Sequence, residues 1–496
     1  MGQGVAATAR PAAVPRRRLI LAAALMATFM PAVESTIVAT AMPTIVGDLG
    51  GFRLFSWVFA TPLLTMAVTI PLYGRLADLY GRKRVFFIGT GIFLIGTTLC
   101  GFARSTEMLI LLRGLQGLGS GAIQPIAATI VGDIYTPAER AKVQGAISSV
   151  FGVAAVIGPA LGAFLVEHVH WSVVFWVNLP IGAISIVMFA LFLDERIERR
   201  EHRIDYLGGA LMVVGIGALM LALVQGVRLP TWQVAALVGF GVAVLAWLAA
   251  HEHRTPEPML PLHLWRRRVL ALSNFAGFGA SATYMAVSSL LPAYVQGVMG
   301  GSPSLAGFVV GAASVSWMFA SITAGRLMVR TSYRLTASIG GASLLAGALV
   351  LTRLDPAVSV LWAAGGSFLL GIAMGFCNTT FLVAIQATVA HNERGVGTGS
   401  QMFMRMIGMS AGAALYGAIV NVGVQRRLPG ADDAVNKLLL PGLRRGLGTD
   451  EAARLADAVA QSAHDAFLAA VAIAAVTLLL ALAFPRGLSP TRPATR

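Results

Sequence analysis

The sequence predicts an all-α polytopic membrane protein: fourteen transmembrane helices, forming two pseudo-symmetric six-helix bundles with two linker helices inserted between them. Three observations lead there. Of 496 residues, 56% are hydrophobic and only 12% charged, about half the charged share of soluble domains, and the mean hydropathy is +0.76. Apolar runs of about 20 residues recur from end to end, the length a helix needs to cross ~30 Å of hydrocarbon; they are continuous rather than alternating, which excludes a β-barrel reading. Finally, the chain repeats itself across its two halves.

The spans fall at 18–41, 56–77, 84–102, 107–131, 141–165, 171–193, 206–226, 231–250, 270–295, 304–326, 335–352, 358–389, 397–420 and 463–484. A cytoplasmic tail (1–17) precedes the N-terminal bundle, 18–193. Residues 194–265 hold cytoplasmic linkers and the seventh and eighth helices, and 266–484 form the C-terminal bundle before a cytoplasmic tail, 485–496. Within that bundle the extracellular loop 421–462 contains the start of "DEAARLADAVAQSAHDAF" (450–467), which reads as an amphipathic helix leading into the last span.

Orientation follows from the loops. With the N-terminus inside, 25 Lys/Arg lie on the cytoplasmic side, against Arg53, Arg104, Arg228 and Arg353 in the short outer loops. Retention of positive loops inside accounts for most of the net charge of +15, so a nucleic-acid partner is not expected despite a pI near 10.9. Cys100 and Cys377 sit in apolar segments with neither disulfide nor metal spacing. The His pairs 168/170 and 251/253 lie at membrane edges, and no metal is expected. "RRR" (16–18) leads into an apolar run longer than a signal-peptide core, so no cleaved leader is read. "GLGSG" (117–121) lies inside a span with no preceding strand or Lys-Ser/Thr, so ATP is not the expected drive.

The repeat is clearest where "AERAKVQGAISSVFGVAAVIGPALGAF" (138–164) resembles "NERGVGTGSQMFMRMIGMSAGAALYGA" (392–418), at an offset of 254. Glu139-Arg140 and Glu393-Arg394 match, and "YGRLADLYGRKR" (73–84) has a degraded echo in "AGRLMVRTSYRL" (324–335). In transporters, repeats of this kind enclose a midplane site and rock about it.

Four stretches carry a family resemblance. "GRLADLYGRKRV" (74–85) is similar to the loop 2–3 signature of the major facilitator superfamily, "RGLQGLGSG" (113–121) to its fourth-helix Arg…Gln-Gly motif, and "IGPALG" (157–162) to its helix 5 antiporter motif. "VESTIVATAMP" (33–43) resembles the first-helix signature of the fourteen-span drug:proton antiporter family of the EmrB/QacA type. The first-helix acid of that family is usually aspartate and is Glu34 here; Ala39, Ala163 and Val329 also depart from its pattern.

Glu34 is singled out by exclusion, because every other acidic residue falls in a loop, at a helix end or in 421–462. An unpaired carboxylate at mid-span costs about 2.5–3.5 kcal/mol on insertion scales. It must therefore face water or hold a proton, and a site alternating between those environments exchanges protons. A glutamate hydrogen-bonded to a neighbouring helix without a turnover role is the bland alternative. Pro31 loosens the backbone beside it. For Arg113 the resemblance implies a part in proton transfer or gating, and a structural ion pair stands beside that reading. Asp78, Gly81, Arg82 and Lys83 are by resemblance a latch favouring one access state; the cations alone could simply set topology. Gly158, Pro159 and Gly162, with Gly145 and Gly152, form a small-residue seam able to pack closely and to act as a hinge between halves.

Trp57, Gln116, Gln124, Asn274, Phe278, Tyr284, Asn378 and Gln386 are candidates to line a large, mostly apolar cavity. So are Met402 and Arg405, the latter among Met404, Met406 and Met409; each of these residues reads equally as interhelix packing. The expected activity is proton-coupled export of amphipathic or lipophilic drugs by alternating access, powered by the proton gradient without a cofactor. A monomer in a bacterial inner membrane, its two termini cytoplasmic, is the expected setting. The rival is an exporter of one endogenous metabolite, lipid or siderophore on the same scaffold. A nontransporting sensor is a more distant reading, and an enzyme is disfavoured by the single deep acid.

Overall fold

The computed structural model describes residues 14–49, 55–195, 205–225, 229–255, 262–355, 358–429 and 449–489. Its apolar runs are helices, as they must be where no water is present to satisfy backbone N–H and C=O groups. In order these are α1 (Val14–Leu49), α2 (Phe55–Tyr80), α3 (Arg82–Cys100), α4 (Thr106–Ile134), α5 (Pro137–His168), α6 (Val173–Trp176), α7 (Asn178–Phe192), α8 (Tyr206–Gln225) and α9 (Thr231–Glu252). They are followed by α10 (Arg268–Met285), α11 (Leu291–Ala293), α12 (Pro303–Arg330), α13 (Tyr333–Leu351), α14 (Val360–Thr388), α15 (Arg394–Arg427) and α16 (Thr449–Leu482).

Helix starts follow local chemistry. Ser105, Ser302 and Ser332 each accept the backbone N–H three residues on, and α5 opens on a reciprocal box between Thr136 and Glu139, both standard ways of satisfying orphaned N–H groups.

Twelve helices among the described residues are long and apolar enough to cross a membrane. That differs from the fourteen spans expected. The span expected at 107–131 is α4, whose run is diluted by Arg113, Gln116 and several glycines. The span expected at 270–295 is irregular: α10 passes into π turns over 286–290 and 294–298 around Pro292 in α11. Two further boundaries move. The span 171–193 is split into α6 and α7, and the amphipathic stretch 450–467 continues into the last span as one helix, α16. The loop expected from 421 begins only after Arg427, and most of it lies outside the described residues.

Packing reproduces the sequence repeat. In the first half α4 packs on α2 and α3 while α1 packs on α5; in the second, α14 packs on α12 and α13 while α10 packs on α15. The halves meet along α2–α15 and α5–α12, which are the same pairing seen from either side. The hairpin α8–α9 leans on α2 and also touches α15. Each half has its own apolar core, around Phe86, Phe93 and Phe189 in the first and around Leu344, Leu370 and Phe467 in the second.

Candidate functional site

At the centre of the first half, Glu34 on α1 is 4% exposed and Arg113 on α4 is 5% exposed. They form an ion pair through Arg113 Nη1. The same nitrogen donates to Gln116 Oε1 at 2.7 Å, and Arg113 Nε donates to the Val58 carbonyl of α2 at 3.2 Å. Gln116 Nε2 in turn donates to Thr97 Oγ1 at 2.8 Å, and Thr97 to the Phe175 carbonyl at 3.2 Å. A polar chain thus runs through five elements, α1, α2, α4, α3 and α6. Water and a bound proton were the two ways of housing Glu34 expected from sequence; an internal cation is a third. Because buried charges are tolerated when paired and hydrogen-bonded, the cluster can hold a carboxylate at mid-span. Protonating that carboxylate would leave Arg113 with amide and carbonyl partners only.

The second cluster closes the end bearing the basic loops. The Asp78 side chain is fully buried. Its Oδ1 accepts from Gly395 N–H at 2.9 Å and from Arg82 Nη2 at 3.0 Å, and its Oδ2 accepts from Val396 N–H at 2.9 Å. A carboxylate of one half therefore caps a helix N-terminus of the other, where N–H groups and the helix dipole favour negative charge. Arg82 Nη2 also donates to the His391 carbonyl at 2.6 Å. Asp133 on α4 receives Arg82, Arg394 and His391 at 3.1, 2.9 and 3.0 Å. Asp133 lies past the apolar run 107–131; burial pushes its carboxyl up, but His391, Arg82 and Arg394 outweigh burial and hold it below the usual range.

Gly81 sits between Asp78 and Arg82 at φ 92° and ψ 147°, a conformation open to glycine and strained for other residues. Gly81→Ala is expected to cost about 1–3 kcal/mol, seen as a lowered Tm of the purified protein. Close approach is also required at Gly74, where a Cβ would lie 2.6 Å from the Gly395 carbonyl oxygen, and at its repeat counterpart Gly325, where a Cβ would overlap the Ala141 carbonyl.

Several expected site residues stand elsewhere. Lys83 does not reach the other half: its Nζ donates to the Ala190 and Leu193 carbonyls at 2.8 Å, capping the end of α7. Gly158 and Gly162, beside Pro159, press against Thr36 and Ile37 of α1 within one half, so they form no seam between halves. Gly145 and Gly152 do, against Ile322 and Met318 of α12. Gln386 belongs to the closed end, donating to the Ala128 carbonyl at 3.1 Å and to Thr398 at 3.2 Å.

The cavity candidates likewise divide. Gln116 belongs to the Glu34 cluster. Gln124 and Asn378 hold Arg405, at 3.4 and 3.2 Å. Asn274 donates to Ser400 at 3.1 Å, and Gly408 packs on the Phe278 backbone, both joining α10 to α15. Tyr284 stands edge-on to Trp317, which stacks on Phe151 across the halves. Met402 packs with Ile70, Ala128 and Leu382 at the interface, and Trp57 is half-buried near the start of α2. A separate apolar cavity of about 330 Å³ opens between the α8–α9 hairpin and helices α2 and α15, lined by Pro71, Met212, Met220, Leu245, Phe403 and Ile407 among others.

Sequence reasoning missed Asp133, His391 and Arg394, although the Glu-Arg repeat pointed at the last. Arg140 and Arg394, the repeated arginines, both donate to the Gln386 carbonyl, at 3.0 and 3.2 Å. It also missed Glu195, whose two oxygens accept from the N–H groups of Arg82 and Lys83 at 2.7 and 2.8 Å and so cap α3.

Residues 24–413 match the family model of the Major Facilitator Superfamily. The chain belongs to that superfamily. Multidrug transporter protein MdtP of Bacillus subtilis (strain 168) is 34% identical over 409 residues, covering 82% of this chain and 76% of that protein. Multidrug resistance protein 3 of the same bacterium is 30% identical over 483 residues, covering 93% and 94%. Among solved structures, the human organic anion transporter MFSD10 (TETRAN) superposes with a TM-score of 0.64 at 13% identity, over 94% of this chain and 99% of that one, a likeness of fold alone. As a superfamily member the chain is a multi-pass membrane transporter of small molecules and not an enzyme.

Proposed function

We propose that this transporter is a proton-coupled antiporter of the fourteen-span drug:proton type, exporting amphipathic or lipophilic drugs across a bacterial inner membrane. All fourteen expected spans cross, α8–α9 are the inserted linker pair, both termini are cytoplasmic, and the protein works as a monomer. Two relatives named for multidrug transport and resistance, matched over most of the chain, support the substrate class.

The observation that carries the coupling is the Glu34–Arg113 pair at mid-span. Bonds between the halves gather at one end, among Asp78, Asp133, Arg394 and Gln386. In the proposed orientation this is a state closed to the cytoplasm. From it, a proton arriving from outside neutralises Glu34, loosens its hold on Arg113 and favours rocking toward the cytoplasm. There the proton leaves and a drug takes its place. The proton gradient is the only energy source in this cycle, which uses no ATP and no cofactor.

The test is efflux of several lipophilic dyes from proteoliposomes, with and without an imposed pH gradient. Export should rise at least tenfold when the vesicle lumen, facing the cytoplasmic side of the transporter, is set alkaline relative to outside. Flux indifferent to the gradient rejects coupling, and transport of one dye alone across a wide panel favours the dedicated exporter.

A further inference from the structure

Arg405 is the deep charge left without a counter-ion. It is half-buried on α15, and its guanidinium donates to Asn378 Oδ1 of its own half at 3.2 Å and to Gln124 Oε1 of the other half at 3.4 Å. Both acceptors are neutral amides, and no carboxylate lies within ion-pair distance among the described residues. The other deep cation, Arg113, already has Glu34. Those two are out of reach: Arg113 and Gln124 are separated by eleven positions on α4, about 16 Å along a helix. Asp78 and Asp133 are occupied by Arg82, Arg394 and His391 at the closed end. Arg405 is therefore a positive charge without a counter-ion among the described residues.

Arg405 is also set in soft apolar surroundings. Neighbouring Met402, Phe403 and Met406 pack with Met66, Ile70, Ala128 and Leu382 at the junction of the halves, and methionine adapts to varied apolar shapes. Two amide oxygens occupy part of a five-donor fork that suits a carboxylate or sulfonate far better than it suits neutral oxygen. We infer that Arg405 binds the anionic head group of the cargo, while the methionine-rich junction receives its apolar body, so that the preferred substrates are lipophilic organic anions. This rests on the export reading above and names its substrate class. Gln124 and Asn378 then serve as placeholders that keep the guanidinium extended when no anion is present, and because they come from opposite halves, rocking changes the hold on the anion.

Three probes test this in proteoliposomes under an imposed pH gradient: 8-anilinonaphthalene-1-sulfonate as the anion, ethidium as the cation and Nile red as the neutral compound. Wild type should move the anion at least tenfold faster than ethidium. Arg405→Gln, and the near-isosteric Gln124→Glu that supplies an internal counter-ion, should each lower the anion-to-neutral flux ratio at least tenfold, with Arg405→Lys retaining part of it. Preference for ethidium, or a ratio unmoved in Gln124→Glu, overturns the inference while neutral flux leaves the export reading standing. If wild type moves none of the three, the export reading falls, and anilinonaphthalene sulfonate binding by fluorescence titration decides the site. A tenfold weaker affinity in Gln124→Glu supports the inference, and equal affinity overturns it.

Discussion

Glu34→Gln is expected to abolish substrate-driven proton movement, leaving less than about one hundredth of the wild-type rate in proteoliposomes loaded with a pH indicator. The substitution keeps the shape and one acceptor oxygen, so Arg113 retains Gln116 and the Val58 carbonyl. It loses its counter-charge, however, and breaking one side of a buried pair costs about 3–5 kcal/mol. A drop in activity alone would therefore be ambiguous between lost coupling and lost stability. The double variant Glu34→Gln/Arg113→Gln removes both charges and restores neutrality. If the pair is only structural, the double variant should recover thermal stability and proton flux together. On the coupling reading it recovers Tm by several degrees while proton flux stays at background. Recovery of flux in the double variant would exclude Glu34 as the proton carrier.

Asp78→Ala is the second large effect. It strips the acceptor from Gly395 N–H, Val396 N–H and Arg82 in one step. Hydrogen bonds to charged groups contribute about 1.5–3 kcal/mol each, without simple additivity, so the closed arrangement should lose about 3 kcal/mol, roughly a hundredfold in population. A cysteine at Ala128, which is 4% exposed at the junction of the halves, would report this in a background with Cys100 and Cys377 replaced. Labelling by an impermeant maleimide from the basic-loop side should accelerate at least tenfold in Asp78→Ala. Unchanged labelling would mean that the carboxylate braces the helices without setting the access state.

Hydropathy and the loop charges were enough to place most helices, because in a bilayer the backbone must satisfy itself and a run of apolar residues has one solution. They say less about the character of a run, which in α4 is diluted by Arg113 and Gln116 and around Pro292 turns irregular. Charge at mid-span made Glu34 legible, and the motif around Asp78 drew attention to that turn. What could not be read is which charges meet. Glu34 and Arg113 lie 79 positions apart, and Asp133 meets Arg394 across 261; pattern along one helix says nothing of such distances. Small residues misled for the same reason. Gly158 and Gly145 look alike in sequence, yet one touches α1 in its own half and the other touches α12 across the junction.

The repeated helices α5 and α15 begin in unlike ways. The first carries its own cap in Thr136 and Glu139, whereas Glu393 leaves the start of the second without one from its own side chain, and Asp78 of the opposite half supplies it. Separation of the halves therefore strands amide groups on one flank only. Water must wet the α2–α15 flank before that mouth can widen, while on the other flank α5 gives up the single Arg140 bond to the Gln386 carbonyl and can roll against α12 on Gly145 and Gly152. A lopsided gate follows: the molecule should unzip along one edge and pivot on the other, rather than part evenly down the middle.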